Sequence, residues 1–272
     1  MKSTALLFIV ASVLGSSVVA RADIVDYDLF KILVNTEAPD SSTSFSYAYA
    51  GERVITQNSG DITDAEASRP NGTLDNMTLD SDNVTWDFVS GQYNSSASLL
   101  SDFPLDNGGN AYGYYADGFT LFGVLFDPQT MWNPTAPVIN LSTLTNVIEG
   151  QNTSVSWSTY TKDPNASEAD IFTSLTDNTL GKSVFANQGD NSYTSDVLPG
   201  SDLIAGHNYT LGVDFSNREV TVPNNGFGNA SAIASYDVLT NYSFSVQSVP
   251  SPNPFILIGM STFGLGILRR KK

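Results

Sequence analysis

Leu203-Ile204-Ala205-Gly206-His207-Asn208-Tyr209-Thr210-Leu211-Gly212-Val213 is the stretch on which the fold turns. A turn built on Gly206 and Asn208 is followed by Tyr209, Leu211 and Val213 at alternate positions, the period of a strand with one buried face. Outward from it, similar short alternating runs recur. In the second half they fall at 137–141, 153–160 with Trp157, 169–175, 182–187, 193–198 and 234–246. In the first half they fall at 25–34, 45–55, 84–93, 96–103 and 119–126. Turn signals separate them, including Arg69-Pro70-Asn71-Gly72 and Asp106-Asn107-Gly108-Gly109. Residues 60–82 are polar and read as a long loop with one helical turn near 64–68. No long amphipathic helix is evident, so the expected class is all-β.

A Leu, a Gly turn and a Tyr ahead of an alternating strand resemble the corner of fibronectin type III-like sandwiches. The resemblance spans residues 137–247. It implies that Tyr209 opens a strand and bonds back to upstream backbone, and that Trp157 is the core Trp of the second strand. The X-Pro steps Asp127-Pro128, Asn133-Pro134 and Ala136-Pro137 suit extended chain rather than a central strand. They place a boundary between a β-rich domain at 23–133 and a fibronectin III/Ig-like β-sandwich at 134–248. The alternative is one larger sandwich crossed by this segment.

Both ends read as export signals. Lys2, an apolar run at 5–14 and Ala20-Arg21-Ala22 make a signal peptide over 1–22, with cleavage after Ala20 as the alternative. At the other end, Val249, Pro250, Ser251 and Pro252 precede an uncharged apolar run at 255–268 and the cluster Arg269, Arg270, Lys271 and Lys272. As a helix the run rises about 21 Å, short of the ~30 Å bilayer core. The terminal cations keep that end cytoplasmic. Residues 249–272 resemble the PEP-CTERM sorting tail of bacterial envelope proteins, with Ser251 where the motif usually has Glu. The resemblance implies a short transmembrane sorting helix, processing by an exosortase after signal peptidase, and delivery to the cell surface or an exopolysaccharide matrix. A plain C-terminal membrane anchor is the competing reading.

Between these ends lie all 28 Asp and Glu but only six Lys and Arg, a net charge of −22. Such a surface repels phosphate backbones, so nucleic acid is excluded as a partner. With no cysteine, the fold is held without disulfides.

Catalytic motifs are sparse. His207 is the only histidine, which excludes multi-histidine metal sites, and its place in the turn marks it as a turn residue rather than a triad member. There is no P-loop, no G-x-G-x-x-G after a strand and no G-x-S-x-G elbow. Paired carboxylates, as in polysaccharide hydrolases, remain conceivable among 28 acids, but no pair stands out. No cofactor is implied. Asp75, Asp80 and Asp82 form the densest acidic patch and would suit Ca²⁺, without the order of a known calcium loop. Tyr112, Tyr114, Tyr115 and Trp132 are the candidates for stacking on a sugar; alternation sets Tyr112 and Tyr114 on one face and Tyr115 on the other. Ten Asn-x-Ser/Thr triplets read as clustered turn residues, or as a glycosylated surface. The sequence therefore reads as a non-enzymatic exported surface or matrix protein with a structural or adhesive role; carbohydrate binding is the alternative and hydrolysis a distant third.

Overall fold

A computed structural model of the chain describes residues 24–105, 111–117, 120–125, 135–221 and 230–249. The signal segment, Trp132, the turn at 106–109 and the tail from Pro250 onward lie outside the described residues. The chain is all-β in sandwich-like layers. Its main sheet is assembled from β1 (Ile24–Glu37), β2 (Thr43–Thr56), β5 (Thr78–Leu79), β6 (Thr85–Val89), β9 (Val147–Ile148), β11 (Glu168–Asp177), β12 (Lys182–Asp190), β14 (Asn208–Thr221) and β15 (Ser231–Gln247). The order is β12-β11-β14-β15-β1-β2-β6-β5, with β9 beside the far end of β15. At its centre β1 runs parallel to β15, from Asp26 opposite Ser231 to Thr36 opposite Asn241.

Two smaller sheets cover one face. Over the first half lie β3 (Ala65–Ser68), β4 (Leu74–Asn76), β7 (Tyr112–Ala116) and β8 (Thr120–Leu125), in the order β4-β3-β7-β8, with helix α1 (Ser96–Asp102) nearby. Over the second lie β10 (Thr153–Ser156) and β13 (Ser195–Leu198). Alternation in the long strands sends Tyr27, Leu29 and Leu33 of β1 into one core and Leu211, Val213 and Phe215 of β14 into the other. β15 serves both. Ala232, Ala234, Tyr236 and Val238 join the first core, and Tyr242, Phe244 and Val246 the second. The cores therefore do not part at a single point in the chain: residues from the expected 134–248 unit complete the core of the expected 23–133 unit. Glu37, buried at the end of β1, adds a link by accepting a 2.8 Å bond from the Ile139 amide.

Several expectations are corrected. Residues 96–103 form a helix instead of a strand, because the Ser95 side chain caps the Ser98 amide at 3.1 Å and Leu99 and Phe103, one turn apart, are both buried. The supposed loop at 60–82 contains β3, β4 and β5, and the expected helical turn at 64–68 is strand β3. Residues 137–141 form only an isolated bridge, Ile139 to Trp157, before a 3₁₀ turn at Leu141–Thr143.

The corner at Tyr209 takes the expected form. Gly206 has φ +80°, which suits a residue without Cβ. The Tyr209 hydroxyl donates to the Asp202 carbonyl at 3.0 Å and accepts from the Ile204 amide at 3.0 Å. Trp157 is buried in the same core, its Nε1 donating to the Tyr193 carbonyl at 3.0 Å. Tyr209→Phe removes one oxygen serving two backbone groups and is expected to cost about 1 to 3 kcal/mol, read as a lower urea midpoint at unchanged m-value.

Candidate functional site

The face of the main sheet that neither smaller sheet covers carries, among the described residues, a groove of about 460 Å³. Alternation builds it, since the residues between the core-facing positions all point to the other side. β1 supplies Asp28, Phe30 and Ile32, β2 supplies Tyr49 and Arg53, and β15 supplies Ile233, Ser235 and Asp237. From β14 come Asp214, Ser216 and Arg218, and Phe172 of β11 stands opposite Asp214. Register aligns them in rows: Arg53, Asp28 and Ile233 in one, Tyr49, Ile32, Asp237 and Ser216 in another. Phe30 lies across β2 over Gly51, where a Cβ would collide with the ring and with the Phe88 carbonyl.

Both arginines have partners. Arg53 Nε donates to Asp87 at 2.7 Å. Arg218 pairs with Asp170 and lies 3.5 Å from Glu168. Asp28, Asp214 and Asp237 are the groove's acids that form no ion pair with either arginine. Burial pushes Asp28 up to about 7 against the pull of Arg53. Burial and the Asp237 charge hold Asp214 well above the usual carboxylate range, although the Val238 amide pulls the other way. Asp237 is pushed to about 6 by burial, opposed by the Ser216 and Ser235 hydroxyls. One oxygen each of Asp28 and Asp214 has no hydrogen-bond partner among the described residues. The groove thus combines acids whose hold on a proton burial strengthens, hydroxyls, two arginines and aromatic rings.

A second set of charges sits inside the first core. Lys31 and Glu52 are fully buried. Burial, and then the neighbouring Asp75, raises Glu52 to about 9; burial drives Lys31 well below its ordinary value. The Lys31 ammonium lies 5.5 Å from the Tyr112 ring centre and 5.6 Å from that of Tyr236.

These shifts fix a pH dependence. A carboxyl with a raised folded pKa binds an extra proton on folding, so its contribution is complete below about 4 and is lost as pH rises through the folded value. Asp237, Asp28 and Glu52 act in turn near 6, 7 and 9. Lys31, with its value lowered, works in the opposite sense but is a single group. The melting temperature is expected to fall by at least about 5 °C between pH 5 and pH 8. Carrying Asp28→Asn and Asp237→Asn together should flatten the slope over that interval.

The residues singled out from sequence are placed differently. Tyr112 and Tyr114 are fully buried in the first core, their hydroxyls donating to the Pro104 carbonyl at 3.0 Å and the Asp28 carbonyl at 2.7 Å. They therefore offer no ring face to a sugar. Tyr115 is half-buried on the other side of β7, with its hydroxyl 3.4 Å from that of Ser68. Asp75 is buried and held by Arg69 through two bonds of 2.5 and 2.8 Å. Asp80 and Asp82 are exposed in the turn before β6, where Asp80 accepts from the Ser81 amide and Asp82 from the Val84 and Thr85 amides. The three acids are not gathered around one point, and no group of three or more potential ligands able to hold a metal occurs among the described residues. His207 is a turn residue, its Nδ1 2.8 Å from Asp177, whose other oxygen accepts from the Thr179 and Leu180 amides. Val249 is described and exposed; Pro250, Ser251, Pro252 and the terminal basic cluster lie outside the described residues. Among the described residues no helix is long and apolar enough to cross a membrane.

The groove residues went unnoticed in the sequence. Asp28, Asp214 and Asp237 keep to the polar positions of their strands' alternation, so each reads as ordinary strand surface and only register brings their strands together.

No family model and no curated protein sequence matches the chain. Solved structures similar to it include the fn3 domain of the human collagen alpha-1(XX) chain, at 16% identity and a TM-score of 0.25, covering 46% of this chain and 90% of that one. The chicken CNTN1 FN1–FN3 domains align at 6% identity and a TM-score of 0.25, over 74% of this chain and 64% of that one. The BSP domain of a biofilm associated protein aligns at 15% identity and a TM-score of 0.22, over 75% of this chain and 28% of that one.

Proposed function

We propose that this chain is an exported surface or matrix protein with a structural or adhesive role, delivered by its N-terminal signal and its PEP-CTERM-like tail. The observation that carries the reading is where the folded body ends. β15 stops at Gln247, and Val249, the first residue of the expected motif, is 59% exposed, which supports a processing site just beyond the last strand. The body itself suits display outside the cell: a long sheet backed by two cores, without cysteine, and strongly acidic. In this reading exosortase and signal peptidase are its processing partners, exopolysaccharide is its surroundings, and it catalyses no reaction.

Peptide mapping and intact mass of the protein from its native host test this, with membranes and culture medium taken separately. The expected mature form begins at Asp23 and ends between Val249 and Asn253, without peptides from 255–272. A chain that keeps Arg269 to Lys272 and stays with the membrane would instead make the tail a simple anchor.

A further inference from the structure

We propose that the groove on this face of the main sheet is a binding site for a neutral glycan, accommodating one or two sugar rings against Phe30 and Tyr49 on one side and Phe172 on the other. This goes beyond the delivery reading and does not depend on it. The volume of about 460 Å³ lies within the range of small-ligand sites, roughly 300 to 1,000 Å³.

The chemistry narrows the ligand. Asp28, Asp214 and Asp237 present carboxyl oxygens; Arg53, Arg218, Ser216 and Ser235 present donors; and three rings supply apolar walls. An anionic ligand would meet three carboxyl groups and only two arginines, which already pair with Asp87 and Asp170, in a body of net charge −22. A purely apolar ligand would strip water from those acids without replacing its hydrogen bonds. An organic cation would satisfy the acids alone, yet Arg53 and Arg218 share the groove and their charge opposes it. A sugar hydroxyl both donates and accepts. It can bond to carboxylate, protonated carboxyl and guanidinium alike, while the C–H faces of the ring pack on the aromatic walls. Tyr49, Phe30 and Phe172 are each half-buried, leaving surface for such contact.

The test is isothermal titration of the mature chain with neutral oligosaccharides of glucose, galactose and mannose, with spermine as the cationic probe. Variants Phe172→Ala, Asp237→Asn and Tyr115→Ala are checked for native circular dichroism and cooperative melting. At least one neutral oligosaccharide is expected to bind saturably, about tenfold more weakly in Phe172→Ala and in Asp237→Asn, and unchanged in Tyr115→Ala, which lies on the other sheet. Asp237→Asn keeps the shape and removes only the carboxyl, so its loss cannot be ascribed to misfolding when melting is native. The proposal is overturned if no neutral oligosaccharide binds, if binding survives intact in both groove variants, or if spermine alone binds. Surface delivery would stand after any of those results, because it is read by peptide mass and not by affinity.

Discussion

Arg69→Ala is expected to lower the unfolding free energy by about 3 to 5 kcal/mol. Arg69 follows β3 directly, and its guanidinium makes a two-bond pair with Asp75 of β4 beneath the smaller sheet. Its plane also lies 3.7 Å from the Phe103 ring centre and 5.6 Å from that of Phe88. Asp75 sits beside Glu52, which is already held protonated by burial and by that neighbour. Removing the arginine leaves a buried carboxylate facing a second acid, and also opens a gap against two rings. The double variant Arg69→Met with Asp75→Leu removes both charges at similar volume and is expected to recover most of the loss. Urea unfolding followed by circular dichroism reads both; a loss under about 1 kcal/mol for Arg69→Ala would mean that the pair is solvated.

The second large effect is at Tyr114. Tyr114→Ala is expected to cost about 3 to 5 kcal/mol, as buried aromatic truncations do. The ring is fully buried, its centre 4.9 Å from that of Tyr27, and the hydroxyl anchors the Asp28 carbonyl of β1 at 2.7 Å. It therefore fastens the smaller sheet to the larger one. Tyr114→Phe keeps the ring and should cost about 1 to 2 kcal/mol. Tyr115→Ala, one residue on and half-buried, should cost less than about 1 kcal/mol. Any loss of ligand binding in Tyr114→Ala would report unfolding, which is why Tyr115 and Phe172 are the informative positions for glycan work.

The parts of this fold that the sequence displays are those where one face of a strand is large and apolar. β1, β2, β11, β14 and β15 alternate Tyr, Leu, Val, Ile or Phe with polar residues; four were legible within a few positions, and β14 was legible at its start and runs eight residues past Val213. β3 and β4 were not, because their buried positions are Ala65, Ala67 and Asp75: alanines barely register in an alternation, and a buried aspartate contradicts it until Arg69 is placed beside it. In residues 96–103 the two apolar positions that become buried, Leu99 and Phe103, are one helical turn apart, and only the Ser95 cap decides between strand and helix. In residues 112–115 alternation separated the two faces of Tyr112 and Tyr114 from that of Tyr115, but nothing local says which face meets a core. The groove is a matter of register. Asp28 and Asp237 are distant in the chain and come onto one face of two adjacent strands only because β1 pairs parallel with β15, which sets Asp28 opposite Ile233 and Asp237 opposite Ile32. The same pairing places the expected second unit's Ala232, Ala234 and Tyr236 in the first core.

The central claim is that this shared sheet makes the two cores one mechanical and thermodynamic body, since β15 is buried in both. Differential scanning calorimetry of the mature chain at pH 5 tests it most directly. A single transition whose calorimetric and van't Hoff enthalpies agree is the predicted result, because β15 cannot leave one core without disturbing the other. Two resolved transitions, or a calorimetric enthalpy near twice the van't Hoff value, would contradict it and make the cores independent domains.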